Sequence, residues 1–377
     1  MSAAGELEPI ALFDLARAEA PHRGRLLEAV SEVAQTGRYV LGAPVERFEQ
    51  ELADALGVPH AVGVSSGSDA LVCALAAAGV GPGDEVITPA FGFFATVEAV
   101  LRLGARPRLV DVAPGVPNLD PGAVDAALGP RTRAIVPVHL YGHAAPLEAL
   151  ARLAARADVA LVEDAAQAFG GALGGVALGT WGLAGCFSFF PTKPLGGWGD
   201  GGAVVTRSAE VAARVRCLRQ HGSSDRRTHR EVGGNFRLDA IQAAVLSAKL
   251  PLAVAWRAAR AAHAARYADH LSAAPDLELP RAPDREEPCW ALYTARVGGG
   301  RRAALVEALG AGRIETGIYY PTPLHLQPAL ESLGHRRGEF PEAERAASEV
   351  VSLPCHAALR SLDVERVAAA VIGALAS

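Results

Sequence analysis

From about residue 60 to residue 206, short apolar runs alternate with stretches of helical length. His60-Ala-Val-Gly-Val64 reads as a buried strand, and Ser68 to Gly79 as a helix ending at a glycine. Glu85-Val-Ile-Thr88 reads as a strand, and Ala95 to Leu103 as a helix closed by Gly104. Further strands are predicted at Arg108 to Asp111, Ala134 to Val138 and Val159 to Glu163, with helices between them. Cys186 to Phe190 and Ala203 to Thr206 follow one another without a helix, which predicts a local antiparallel excursion. Strands alternating with helices imply a mainly parallel sheet covered on both faces.

The pattern changes after Asp239. Ala240 to Ala274 is Ala-rich and helical, with a break at Pro251, and a Pro-rich, charged loop runs from Pro275 to Pro288. The remainder reads as a smaller α+β unit with strands at Trp290 to Val297 and Ile314 to Tyr320. The 377 residues suit two domains at roughly 100–200 residues each. The boundary is placed between 1–250 and 251–377.

Composition narrows the function classes. Hydrophobic residues make up 50% and charged residues 20%, which excludes a disordered chain. A net charge of −5 argues against a nucleic-acid binder, although a few amides and one Arg suffice for a local anion site. The cysteines, Cys73, Cys186, Cys217, Cys289 and Cys355, are odd in number and form no Cys-x-x-Cys pair. That pattern predicts neither a disulfide scaffold nor a zinc site, and it fits a reducing cytoplasm. Residues 1–20 carry Glu6, Glu8 and Asp14 and lack the order of a secretory signal. The most apolar run, Leu71 to Val80, is too short to span a membrane.

One count changes the picture. Of 36 basic residues only Lys193 and Lys249 are lysine, which leaves 34 arginines. A lysine that persists against such a bias is a candidate for chemistry that Arg, always protonated, cannot perform. Lys249 lies late on a helix, where a cation is favoured in any case. Lys193 lies in a turn between two predicted strands, Phe189-Phe-Pro-Thr-Lys-Pro-Leu195, ahead of the glycine-rich Gly196 to Gly202.

Two other segments bear on chemistry. Ser65-Ser-Gly-Ser-Asp69 joins a strand to a helix, where small residues and the helix N-terminus can cradle a phosphate. The same pattern also describes an ordinary Ser N-cap. Asp164, in Glu163-Asp-Ala-Ala-Gln167, follows an apolar strand at the sheet edge where α/β proteins bind ligands. It can pair with a ring nitrogen or cap a helix. No Gly-x-Gly-x-x-Gly follows a strand, so a dinucleotide site is not supported. Phosphate cradle, strand-end Asp and one special Lys are the requirements of pyridoxal 5'-phosphate (PLP): anchor, pyridinium partner and Schiff-base amine.

These segments resemble those of the DegT/DnrJ/StrS sugar aminotransferases over about Ile10 to Ile372. The carriers are Gly42 to Phe48, Ser66 to Leu71, Gly81 to Pro89, Pro137-Val-His-Leu-Tyr-Gly142, Glu163 to Gln167, Phe187 to Gly202, Asn235 to Ala244 and Tyr320-Pro-Thr-Pro-Leu-His325. The resemblance implies an α/β, fold-type-I PLP-dependent transferase, with helices on both faces of a mainly parallel sheet and a smaller C-terminal domain. It implies that Gly67, Ser68 and Ser188 hold the phosphate, Asp164 pairs with the pyridine nitrogen, Gln167 meets the ring hydroxyl and Phe93 stacks on the ring. Lys193 would be the catalytic amine. Asn235 would reach the phosphate of the neighbouring subunit's cofactor, making a homodimer with shared sites. Arg237 would bind a carboxylate, that of the sugar or of glutamate, or else form a structural salt bridge with Asp239 or a neighbour. Tyr319, Tyr320 and His325 would line the substrate mouth.

Pro194 after the lysine and Asp225-Arg-Arg227 resemble the members acting on UDP-linked 3-oxo-N-acetylglucuronate. Arg226 and Arg227 would reach a diphosphate or remain solvated. Ser68 stands in place of the usual Thr, Phe93 lacks a polar tip, Tyr319 replaces His, and Thr228 and His229 occupy a region where such proteins often have two aromatic or His residues. The implied activity is amino transfer from L-glutamate to a nucleotide-linked keto sugar, for surface polysaccharide or antibiotic sugar biosynthesis. The alternatives are a 4-keto-sugar aminotransferase, a PLP sugar dehydratase, which would carry His in place of Lys193, and a non-catalytic PLP-binding regulator.

Overall fold

A computed structural model describes residues 8–115, 117–225 and 227–376. Its strands in chain order are β1 His60–Val64, β2 Glu85–Pro89, β3 Arg106–Val110, β4 Thr132–Ile135, β5 Ala160–Asp164, β6 Ala172–Leu173, β7 Val176–Ala177, β8 Ala184–Ser188, β9 Gly202–Thr206, β10 Leu277–Glu278, β11 Glu286–Glu287, β12 Tyr293–Val297 and β13 Val350–Leu353. Seven form the central sheet, in the order β1-β9-β8-β5-β4-β2-β3. Only β9 runs against the others, pairing antiparallel with β1 and β8. The remaining pairs are parallel.

The strands are short and buried on both faces, which is why they read as apolar runs rather than alternating ones. Ala-rich helices cover the two sides. Helix Gly67–Ala77 packs with β1, β8 and β9 through Leu71, Val72 and Leu75. On the other side, helices Ala43–Leu56 and Ala240–Lys249 bury Phe48, Leu52, Ala244 and Leu246 against Phe187 and Phe189. Because β1, β5 and β8 run the same way, their carboxyl ends meet at one edge. There the antiparallel β9 begins at Gly202, which lies opposite both Val64 and Ser188.

The C-terminal part has its own sheet, β10-β12-β13, and its own core of Tyr267, Tyr293, Leu305, Val351 and Val367. Ile10 joins that core. Its amide donates to Arg313 O at 2.9 Å and its carbonyl accepts from Glu315 N at 2.9 Å. The break at Pro251 is present as a 3-10 turn, Leu250–Leu252, between helices Ala240–Lys249 and Ala253–Leu271.

Two expected elements differ. Ile314 to Tyr320 is not a strand: it makes only isolated bridges, Ile10 to Ile314 and Gly317 to Ser352. A side chain at Gly317 would lie 2.5 Å from the Tyr319 ring, and Pro321 follows at once. The partner of β12 is β13, a four-residue buried run directly after a helix, with too little length to show a period. The strand expected at Ala134 to Val138 pairs only as far as Ile135, beyond which Val138 bridges to Asp164.

Candidate active site

The sheet edge gathers most of the expected residues. Ser66 caps helix Gly67–Ala77, its hydroxyl accepting from Asp69 N at 3.1 Å. The amides of Gly67 and Ser68, first in that helix, have no acceptor within it. Glycine is required here for space. A Cβ on Gly67 would lie 2.7 Å from Ser188 Cβ, and one on Gly202 2.3 Å from Ser66 O. The ends of β1, β8 and β9 therefore close on a small cradle of amides, with the Ser188 hydroxyl beside it. Such a set of donors at a helix N-terminus suits a phosphate.

Asp164 ends β5 and is 5% exposed. Thr96 Oγ1 donates to its Oδ2 at 2.7 Å, and Ala166 N donates to its Oδ1 at 3.1 Å. The carboxylate is held on two sides in a dry setting.

Lys193 lies in the turn after β8. Its amide donates to Phe190 O at 2.9 Å, and Gly197 N donates to Phe189 O at 2.7 Å, closing the turn. Burial lowers the Lys193 pKa from its ordinary value, while the charge of Asp164 and the nearby Cys289 oppose the shift. A lysine displaced in this direction holds more free amine near neutrality, as a nucleophile or proton carrier needs.

Gln167 and the aromatic residues stand nearby. Gln167 Oε1 accepts from Tyr141 N at 2.6 Å, and Nε2 faces Tyr320 Oη at 3.5 Å. With its oxygen committed to Tyr141, the amide presents a donor to the cleft, the polarity a ring oxygen requires. Phe93, 56% exposed, is tilted against Tyr320 with ring centroids 5.7 Å apart. Tyr319 is tied back through its carbonyl, which accepts from Tyr141 Oη.

Other expected residues are not brought to this cleft. His325 is buried, its Nε2 bonded to Glu344 at 3.0 Å and its ring against Phe340. Asn235 is exposed on a segment that runs beside the end of β1, where Ser65 N donates to Phe236 O at 3.0 Å. Arg237 shares a surface hollow with Ser66, Asp200 and Asp239, and among the described residues it pairs with no carboxylate, Asp239 included. Arg227 is exposed, and Arg226 lies outside the described residues.

The sequence did not single out three supporting groups. Thr96 is the first. The second is the pair His139 and Glu163, both fully buried. His139 Nδ1 accepts from Ala145 N at 3.1 Å, so its Nε2 carries the hydrogen toward Glu163 Oε2 at 2.9 Å. Glu163 also accepts from the amides of Gly179, Trp181 and Gly182, each at 2.8 Å. The pair fixes the loop after β4 to the end of β5. His139 and Glu163 lie in the Pro137–Gly142 and Glu163–Gln167 segments, but nothing in the spacing shows that they meet. The third is Lys249, read from the sequence only as a helix-end cation: its side chain is 2% exposed and bonds Glu19 and Gly196.

The cradle, the held carboxylate and the amine fit PLP. Comparisons with known proteins agree. The model of the DegT/DnrJ/EryC1/StrS aminotransferase family matches residues 22–372. The chain is 44% identical over 347 residues to a "Pleiotropic regulatory protein" of Geobacillus stearothermophilus, covering 92% of this chain and 93% of that one. It is 44% identical over 354 residues to a dTDP-3-amino-3,4,6-trideoxy-alpha-D-glucose transaminase of Streptomyces venezuelae, covering 94% and 93%. It is 38% identical over 362 residues to a UDP-2-acetamido-2-deoxy-3-oxo-D-glucuronate aminotransferase of Pseudomonas aeruginosa, covering 96% and 99%.

Among solved structures, S. venezuelae DesV in complex with a ketimine intermediate superposes with a TM-score of 0.94 at 43% identity, over 97% of this chain and 98% of that one. NtdA of Bacillus subtilis with bound cofactor PMP (pyridoxamine phosphate) gives 0.89 at 28% identity, over 100% and 87%. The chain belongs to the DegT/DnrJ/EryC1/StrS aminotransferase family and is a PLP-dependent sugar aminotransferase.

Proposed function

We propose that this protein moves the amino group of L-glutamate onto UDP-linked 3-oxo-N-acetylglucuronate, with Lys193 as the catalytic amine. The observation that carries the amino-transfer chemistry is the meeting of Lys193, Asp164 and the Gly67–Ser188 cradle at one sheet edge. When bound, PLP supplies an aldehyde that condenses with amines and a ring that takes up electrons from an adjoining C–H bond. The amides of Gly67 and Ser68 and the Ser188 hydroxyl anchor its phosphate. Asp164 keeps a proton on the ring nitrogen, since an opposite charge within hydrogen-bond reach favours the charged form. Gln167 Nε2 donates to the ring oxygen, and Phe93 covers one face of the ring. Lys193 Nζ would hold the cofactor, and its free amine would carry the proton that leaves the donor's α-carbon and, in the second half-reaction, the proton that arrives at the sugar carbon.

The assembly we propose is a homodimer with shared sites. Tyr39, Val40, Phe93, Phe190 and Trp198 are large apolar side chains left exposed on segments near the cleft and Asn235, as expected of an interface. Asn235 and Arg237 would then serve the neighbour's site. Among the described residues the Arg237 guanidinium pairs with no carboxylate, and such a fork suits one through two parallel hydrogen bonds, that of the uronate and, in turn, the α-carboxylate of glutamate. The Pseudomonas aeruginosa relative, a UDP-2-acetamido-2-deoxy-3-oxo-D-glucuronate aminotransferase, supports the same reading.

The test offers the holoenzyme glutamate with a panel of UDP- and dTDP-linked 3-keto and 4-keto sugars, acidic and neutral. The uronate should be aminated in preference, and Arg237→Ala should slow its turnover by roughly tenfold or more, the loss of one charge-assisted hydrogen bond. Equal turnover of neutral 4-keto sugars, or no effect of Arg237→Ala on either half-reaction, overturns the uronate assignment.

A further inference from the structure

The second of the two lysines holds the turn that carries the first. Lys249 ends helix Ala240–Lys249, and its Nζ donates to Gly196 O at 2.8 Å and to the Glu19 carboxylate. Trp198 Nε1 donates to the other Glu19 oxygen at 2.7 Å, and the Lys249 ammonium stands 5.9 Å from the Trp198 ring centroid. Gly196 is the third residue after Lys193 in a loop with no slack: a Cβ there would lie 2.2 Å from Pro191 O. Lys193, Gly196, Lys249 and Glu19 border one cavity. The loop is therefore closed by its own amides on one side and clamped by a buried ammonium on the other.

An ammonium is a compact point with three tetrahedral donors, which here meet a carbonyl, a carboxylate and an aromatic face. A guanidinium is planar and longer, and would have to displace the Gly196 limb to enter. That accounts for a lysine here in a chain with 34 arginines. We propose that Lys249 is a positioning residue, whose contact with Gly196 fixes the turn so that the Lys193 amine stays enclosed beside Asp164, and that arginine cannot replace it. The proposal rests on Lys193 being the catalytic amine.

The test reads Lys193 itself in the cofactor-free protein. Trace acetylation with acetic anhydride across pH, quantified on the Lys193 peptide by mass spectrometry, reports the titration and access of its amine, on which the charges of Asp164 and Cys289 act. In wild type the titration midpoint should lie below the ordinary 10.5 of a lysine. In Lys249→Met and Lys249→Arg it should move up toward that value, with reactivity toward the neutral reagent changed several-fold. In the holoenzyme the glutamate half-reaction should slow at least tenfold with an unchanged glutamate KM. Should those variants not fold, Glu19→Gln keeps the Gly196 contact but loses the charge, and a smaller shift in the same direction is expected. A wild-type Lys193 titration in every folded variant overturns the proposal. Failure of the parent reading shows separately, as wild-type cofactor attached elsewhere than Lys193.

Discussion

Thr96 Oγ1 donates to Asp164 Oδ2 at 2.7 Å, tying the first turn of helix Ala95–Arg102 to the carboxyl end of β5. One oxygen of the carboxylate is thereby held by a hydroxyl, the other by the Ala166 amide at 3.1 Å. Asp164→Asn should still bind PLP but slow proton transfer on the order of a hundredfold or more. Thr96→Val should lower the same step by about tenfold, since it loosens the carboxylate without removing its charge. Rapid-mixing spectroscopy of the glutamate half-reaction checks both, and wild-type rates in Asp164→Asn would place the ring-nitrogen partner elsewhere.

The depressed pKa of Lys193 has a stability consequence. The unfolded chain keeps the ordinary value, so between the folded and unfolded pKa values the unfolded state binds more protons and stability rises with pH. Below the folded value the fold bears the full cost of an enclosed ammonium, about 1.4 kcal/mol per unit of depression. Cofactor-free Lys193→Met should therefore be more stable than wild type near neutral pH, with the difference closing as pH approaches 10.5. Denaturant titrations at several pH values check this, and a difference that widens with pH would contradict it.

His139 and Glu163 are a neutral imidazole and a carboxylate that together gather backbone donors. Glu163→Gln keeps one oxygen for two of those donors and turns an NH2 toward the other two, so it should cost about 2–6 kcal/mol of stability at about 1–3 for each buried donor left without an acceptor. His139→Ala should cost less, because Glu163 keeps its three amides. Equilibrium unfolding of the two variants gives the order directly.

If the sites are shared, Lys193→Ala and Asn235→Ala complement each other. Each homodimer should be inactive, and mixing them under subunit exchange should recover up to about a quarter of wild-type activity, from the one restored site in half the dimers. Verified heterodimers without activity would contradict sharing.

The sequence read well where local chemistry and sheet position coincide. The strand-to-helix junction at Val64 to Ser68, Asp164 at a strand end, and Lys193 in a tight turn were all visible because each is marked by a change of pattern. Contacts across long stretches of chain were not visible. Nothing in the spacing joins Glu19 to Lys249, 230 residues apart, or Thr96 to Asp164, 68 apart. The strand expected at Ile314 to Tyr320 differs for another reason: it has strand-forming residues, but it bridges only singly, at Ile314 and at Gly317, and β12 pairs instead with Val350–Leu353. His325 shared a motif with Tyr320, yet the 3-10 turn Leu324–Leu326 carries it into the Phe340 and Glu344 cluster.

The bias that drew attention to Lys193 also makes its role simple to test. The chain has only two lysines. Borohydride reduction of the PLP-loaded protein, followed by proteolysis and mass spectrometry, should place the cofactor on the peptide containing Lys193 and leave the Lys249 peptide unmodified. Label on Lys249, or on neither, would contradict the account.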